Sequence, residues 1–206
     1  MTVQKSERPA RPRGRPRSFD TATTLAQATL AFWQRGYAST SLDDLSAATG
    51  LNRPSLYGAF GDKHALYLQA LQLYTEQSDA AIAAALEGRS LRDGLGRVYE
   101  LALQLYCPAD AAARGCLLIG TAATEAPRDE AIRQQLLQSL RGFNAAFEER
   151  FRQAVAAGEL PESTDSALRA QLASAVLHSL ALRARSGEAR EDLAAFARAS
   201  VEMVCG

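Results

Sequence analysis

Between Ser41 and Lys63 the chain reads "SLDDLSAATGLNRPSLYGAFGDK", and the density of helix starts and stops there leaves few folds open. Ser41, with Asp44 three residues on, is an acidic variant of the capping box, in which each side chain satisfies the other residue's backbone N–H. Gly50 reads as the stop of that helix, where glycine's tolerance of positive φ is useful. Pro54 suits a first helical position, because its missing N–H would have had no partner inside the helix. Gly61 then breaks the chain and Asp62 caps a longer helix. The spacing predicts two helices of about two turns each, separated by a three- or four-residue turn that contains glycine.

The flanking segments carry apolar residues at helical period, and no segment alternates convincingly with period two. Asp20 reads as an N-cap, Leu25, Ala28 and Phe32 share the face that follows it, and Gly36 is placed to end this helix in the left-handed conformation. The helix capped by Asp62 runs through Leu66, Ala70 and Leu73 toward Leu86. Beyond it, Gly88, Pro108, Pro127, Gly158 with Pro161, and Gly187 punctuate long helical stretches. The clearest follows Pro127, where Ile132, Leu136, Leu140, Phe143, Phe147 and Phe151 step by three or four residues over about five turns. Two more stretches, Asp165 to Ser186 and Glu188 to Cys205, complete the chain. The expected architecture is all-α, an N-terminal three-helix unit continuous with a larger helical body, because the Asp62 helix runs from one into the other. The expected divisions are residues 1–18, 19–66 and 67–206.

The chain has 206 residues, is 47% apolar and carries no formal net charge. That zero conceals a split. Residues 1–67 hold nine Lys/Arg against five Asp/Glu, and the remainder is net negative by the same margin. The asymmetry assigns an anionic partner to the front of the chain. Arginines at 11, 13, 15 and 17 are its extreme, and Arg13-Gly14-Arg15-Pro16 resembles the core of an AT-hook. Two readings of this arm stay open: Arg13 and Arg15 lie in a narrow minor groove, or they attract phosphates without selectivity.

Cys107, Cys116 and Cys205 are odd in number and lack CxxC spacing, which indicates neither a disulfide framework nor a zinc site. His64 and His178 have no ligand-spaced neighbours, so no metal or other cofactor is expected. The first residues contain no apolar leader and no run is long enough to span a bilayer, so a cytoplasmic protein with no membrane role is expected. No nucleophile, base or metal constellation argues for an enzyme.

Two short helices across a tight turn, the second opened by proline and polar on its first turn, form the pattern of a DNA-binding helix-turn-helix. The major groove of B-DNA admits one helix, whose leading side chains meet base edges while its reverse face packs on neighbouring helices. Here Asn52, Arg53 and Ser55 can face the groove, and Leu56 and Phe60, four apart, can face the core. Arg53 is the candidate base reader, since its fork fits guanine O6 and N7. Tyr57 and Lys63 are candidates for phosphate.

Phe19 to Leu71 resembles the DNA-binding region of the tetracycline-repressor (TetR) family of bacterial regulators. Gly36-Tyr37, Thr40-Ser41, the helix of Leu45, Gly50-Leu51, Ser55-Leu56-Tyr57, Phe60 and Lys63 carry the resemblance. It implies an all-helical homodimer that represses at a palindromic operator of double-stranded DNA and is released by a small molecule entering the C-terminal body. By position, Thr40, Arg53, Pro54, Ser55, Tyr57 and Lys63 inherit DNA contact, and Ser41 is a further candidate; Gly58 and Ala59 depart from the bulky or polar pair some members carry.

In the body, Leu168, Leu172, Ala175, Ser179 and Leu182 on one terminal helix, and Leu193, Phe196, Ser200 and Val204 on the other, are expected either to pair with their copies in a dimer or to pack within one subunit. Tyr74, Tyr99, Tyr106, Cys116, Phe143, Phe147 and His178 are candidates to line an effector cavity, with plain core as the competing reading. "RGCLLIGTAATEAP" resembles a segment whose cysteine, at the position of Cys116, senses oxidants or electrophiles in a few relatives; an inert buried thiol is the other reading. An architectural AT-rich DNA binder without effector control is the alternative function.

Overall fold

The capping signals become helix ends. The structure, a computed structural model, describes residues 19–206; Arg13 and Arg15, with the rest of the basic arm, lie outside the described residues. Its helices are α1 (Thr21–Arg35), α2 (Leu42–Thr49), α3 (Arg53–Phe60), α4 (Lys63–Leu86), α5 (Leu91–Tyr106), α6 (Ala123–Glu125), α7 (Glu130–Ala156), α8 (Ser166–Arg185) and α9 (Arg190–Cys205), with a π-helical turn, Leu118–Ala122, leading into α6. No strand occurs among the described residues. Asp20, Ser41, Asn52, Asp62, Ser90, Asp129 and Asp165 each accept a backbone N–H at the head of a helix, satisfying donors that a helix start leaves unpaired.

Three local readings shift. Helix α3 begins at Arg53 because Asn52 Oδ1 takes the Ser55 N–H at 2.9 Å, which moves Pro54 to the second helical position. Gly36 ends α1 with φ 82° and ψ 161°, positive φ but extended ψ, so the chain leaves straight instead of curling left-handed. Helix α9 starts at Arg190, two residues late, because Gly187 adopts φ 88° and Glu188 is held by Arg183.

Two turns of helix are too short to persist alone in water, so α2 and α3 depend on what they bury. Leu45, Leu56 and Phe60 are buried in the same hydrophobic core as Phe32 of α1 and Tyr67 of α4, whose rings meet edge to face at 5.0 Å. Helix α4 then leaves this unit without a break and packs on α5 and α7 in the body. There Ile132, Phe147 and Phe151 on α7, Tyr99 and Leu95 on α5, and Leu180 on α8 are buried. Leu136 and Leu140, on the predicted α7 stripe, are only half-buried, while Ser139 and Arg150 take buried places. Arg150 is held there by Glu159 Oε1 at 2.6 Å and the Arg89 carbonyl at 2.9 Å.

The segment ahead of the π turn runs between α1 and α8. Gly115, at φ 63°, accepts the indole N–H of Trp33 at 2.9 Å. Its other side abuts α8 so closely that a Cβ would lie 2.4 Å from the Ala181 carbonyl oxygen. Gly115→Ala is therefore expected to lower stability by about 1–3 kcal/mol through overpacking and backbone strain, measured by urea unfolding; an unchanged midpoint contradicts the tight crossing.

Candidate nucleic-acid interface

Gly50, in the left-handed region at φ 68°, turns the chain from α2 into α3. Ser41 and Asp44 exchange backbone N–H bonds at 2.9 and 3.1 Å, which fixes the head of α2. Those Ser41 hydrogen bonds, with Arg35 of α1 alongside, hold the Asp44 carboxyl below the usual carboxylate range. On α3, Leu56 and Phe60 turn inward, while Arg53, Pro54 and Tyr57 stand exposed and Ser55 is half-buried. The outward face thus carries a guanidinium, a hydroxyl and a phenol on one short helix, the donor types that read guanine edges and hold phosphates.

Among the site residues expected from sequence, Ser41, Arg53, Pro54, Ser55 and Tyr57 lie at this surface. Asn52 does too, but its side-chain oxygen is occupied as the α3 cap. Thr40 does not: it is fully buried, and its hydroxyl donates to the Gly36 carbonyl at 2.6 Å. The extended ψ of Gly36 aims that carbonyl at Thr40, which makes the threonine a brace of the α1–α2 loop. Lys63 is half-buried with Nζ 4.5 Å from the centre of the Tyr37 ring, and burial lowers its pKa. Its ammonium reaches phosphate only by leaving that ring. One contact had no sequence signal: Arg53 of α3 grips Asp43 of α2, Nε at 3.1 Å and Nη2 at 2.7 and 2.8 Å.

In the body, a cavity of about 70 Å³ is lined by Tyr74, Ser78, Ile82, Val98, Tyr106, Cys116, Phe143 and Leu177 among others. Four of the seven expected pocket residues meet there. Tyr99 instead donates to the Ala173 carbonyl at 3.0 Å, tying α5 to α8, and Phe147 packs in the core away from the cavity. His178 is half-buried outside the lining, where burial lowers its pKa. The Tyr74 hydroxyl donates to Cys116 Sγ at 3.2 Å, and burial pushes both the phenol and the thiol up. At neutral pH the cavity wall is therefore uncharged. Among the described residues no cluster of His, Cys, Asp and Glu is arranged to hold a metal ion.

The cavity wall is also the brace of α1. Trp33 meets the Tyr74 ring edge to face at 4.9 Å, its N–H bonds the carbonyl of Gly115, and Cys116 follows directly. The indole thus braces α1 against the body, and its grip is on the wall of the cavity.

Helix α8 presents an exposed apolar stripe: Leu168, Leu172 and Leu182 are 53%, 46% and 55% exposed, with exposed Ala175 and half-buried Ser179 between them. Helix α9 behaves otherwise. Leu193, Ser200 and Val204 are buried within the subunit, where α9 packs on α5 and α8. Phe196 is half-buried under the Arg183 guanidinium, 4.4 Å from the ring centre. These four are accounted for inside one chain. No helix among the described residues is long and apolar enough to cross a membrane.

Residues 25–70 match the family model "Bacterial regulatory proteins, tetR family", and residues 94–200 match "Tetracyclin repressor-like, C-terminal domain". The chain is 29% identical over 195 residues to the HTH-type transcriptional repressor ComR of Escherichia coli (strain K12), covering 94% of this chain and 92% of ComR. It is 31% identical over 154 residues to YezE, an uncharacterized HTH-type transcriptional regulator of Bacillus subtilis (strain 168), covering 74% and 79%. A cysteine mutant of CifR, a regulator solved on 26-bp double-strand operator DNA, aligns with TM-score 0.83 at 34% identity over 91% of this chain and 98% of CifR.

Burial raises the pKa of all three thiols, so access sets their order, and Cys116 is the buried one. In single-cysteine forms at pH 8, Cys116 is expected to react with iodoacetamide more slowly than the half-buried Cys107 or Cys205, with the three rates converging in guanidinium chloride. Trp33→Phe, which strands the Gly115 carbonyl, is expected to cost about 1–2 kcal/mol in urea unfolding.

Proposed function

The chain belongs to the tetracycline-repressor family of bacterial transcriptional regulators, and on that premise we propose that it binds a palindromic operator as a homodimer, represses transcription there and is released by a small effector. The observation that carries this reading is the division of labour on α3: a polar face open to solvent backed by Leu56 and Phe60 in the core. The operator-bound CifR structure and the repressor ComR support DNA binding and repression as the working mode.

A two-fold operator requires a two-fold protein. The α8 stripe of Leu168, Leu172, Ala175, Ser179 and Leu182 supports a dimer seam, its small residues allowing close approach. Half-sites about one helical turn apart set the recognition helices roughly 34–36 Å from each other, so a mismatch of a few ångströms weakens binding. The effector site is the cavity between α4 and α5, closed by Cys116, Phe143 of α7 and Leu177 of α8. Its lining suits a small, uncharged, mostly apolar molecule able to accept from or donate to a phenol. With its thiol buried and protonated, Cys116 serves there as wall and hydrogen-bond acceptor more readily than as a nucleophile. Arrival of the ligand displaces Tyr74 and Cys116, loosens the grip on Trp33 and shifts α1 and α4 away from the operator geometry. The coupling is reciprocal, so operator weakens effector binding by the same factor. A reducing bacterial cytoplasm suits three free cysteines.

Selection of bound fragments from a random duplex pool is expected to return a palindrome; recovery of only AT-rich, non-palindromic DNA makes the protein an architectural binder instead. The double variant Leu172→Glu, Leu182→Glu alters side chains that stand exposed on the monomer. It is expected to keep full helical circular dichroism, run as a monomer in light scattering and bind the selected DNA at least about a hundredfold more weakly.

A further inference from the structure

The ion pair between Asp43 and Arg53 bridges α2 and α3 on the solvent side of the helix-turn-helix. Its two partners differ from the neighbouring charges. Asp44 is committed to the capping box and to Arg35. Asp43 caps nothing and braces no loop. Its side chain is 77% exposed, and its contact is the guanidinium ten residues on. An acidic residue in the first turn of a helix is mildly favourable anywhere, but that does not account for a two-pronged grip on one arginine.

The geometry of the fork decides what the pair does. A guanidinium has five N–H groups, and Asp43 takes the side edge, with Oδ1 accepting from Nε and Nη2 and Oδ2 accepting from Nη2. Nη1 takes no part in the grip, and the end edge it forms with Nη2 points away from the carboxylate, the edge that can bond guanine O6 and N7 together. The carboxylate also cancels the charge that would draw Arg53 to any phosphate, an attraction that carries no sequence information.

We propose that Asp43 is a specificity-determining residue: it holds Arg53 by its side edge, keeps it off the phosphates and presents its end edge to a guanine. The proposal rests on the reading of Arg53 as a base contact. The carboxylate acts through the arginine, so it is a positioning residue, and its removal makes the protein bind DNA more tightly and choose less well.

The test uses the full chain, the palindromic duplex selected by it and a scrambled duplex of equal composition, with fluorescence anisotropy over a range of salt. Asp43→Asn keeps the size and removes the charge. It is expected to bind the scrambled duplex about tenfold more tightly, with a salt slope steeper by about one phosphate contact. The ratio of operator to scrambled affinity is expected to fall about tenfold, and reselection from a random pool to lose its preference at the base pair that Arg53→Ala also relaxes. In an Arg53→Ala background, Asp43→Asn is expected to leave base preference where it was, so that the loss depends on the arginine; a merely helix-stabilising aspartate alters base preference in neither background. If Arg53→Ala relaxes one base pair while Asp43→Asn leaves both that preference and the affinity ratio unchanged, the role of Asp43 is overturned and that of Arg53 stands. If Arg53→Ala itself leaves base preference intact, the reading of Arg53 falls and the proposal with it.

Discussion

Everything at the DNA-facing end depends on burial that α2 and α3 cannot supply for themselves. Eight residues of helix apiece fix too many dihedral angles for too few hydrogen bonds to hold alone. What fixes them is the wedge of Leu45, Leu56 and Phe60 into the core that includes Phe32 and Tyr67, with the capping box, Asn52 and the Arg35–Asp44 pair pinning the ends. A helix held this way by one face is free to offer the other to a groove. The polar side of α3 is therefore not a weakness in the packing but the part that packing leaves over.

The same economy joins the two ends of the molecule. Trp33 belongs to α1, yet its N–H and its ring are both satisfied in the body, by the Gly115 carbonyl and Tyr74. Gly115 in turn is pressed against α8, the helix with the exposed leucine stripe. Helix α1, the cavity wall and the candidate dimer seam thus meet within a few residues of Cys116.

How much of this was legible depended on the range of the interaction. Caps are local, and Asp20, Ser41 and Asp62 announced their helices correctly. The family resemblance from Phe19 to Leu71 was legible for the same reason, since its residues are set by the turn and the two short helices. Thr40 was not, because its burial follows from the ψ of Gly36, which a sequence does not display. Helix α9 left two readings open because it is apolar on more than one side. Leu193 and Val204 face inward while Met203 stands 80% exposed, and the positions of α5 and α8 decide which side is covered. The cavity needed Tyr74 and Cys116 to meet across 42 residues, and Asp43 and Arg53 meet across a turn at a spacing of ten, which no helical periodicity foretells.

Helix α4 is 24 residues without proline or glycine, about 36 Å of unbroken rod with one end beneath the recognition helix and the other deep in the body. A rod of that length is a lever. Tilting it by about five degrees sweeps its tip through about 3 Å, while its own hydrogen bonds remain intact and its elastic cost stays small. In the proposed mode of release, the amplifier is a helix with no proline or glycine at which to kink.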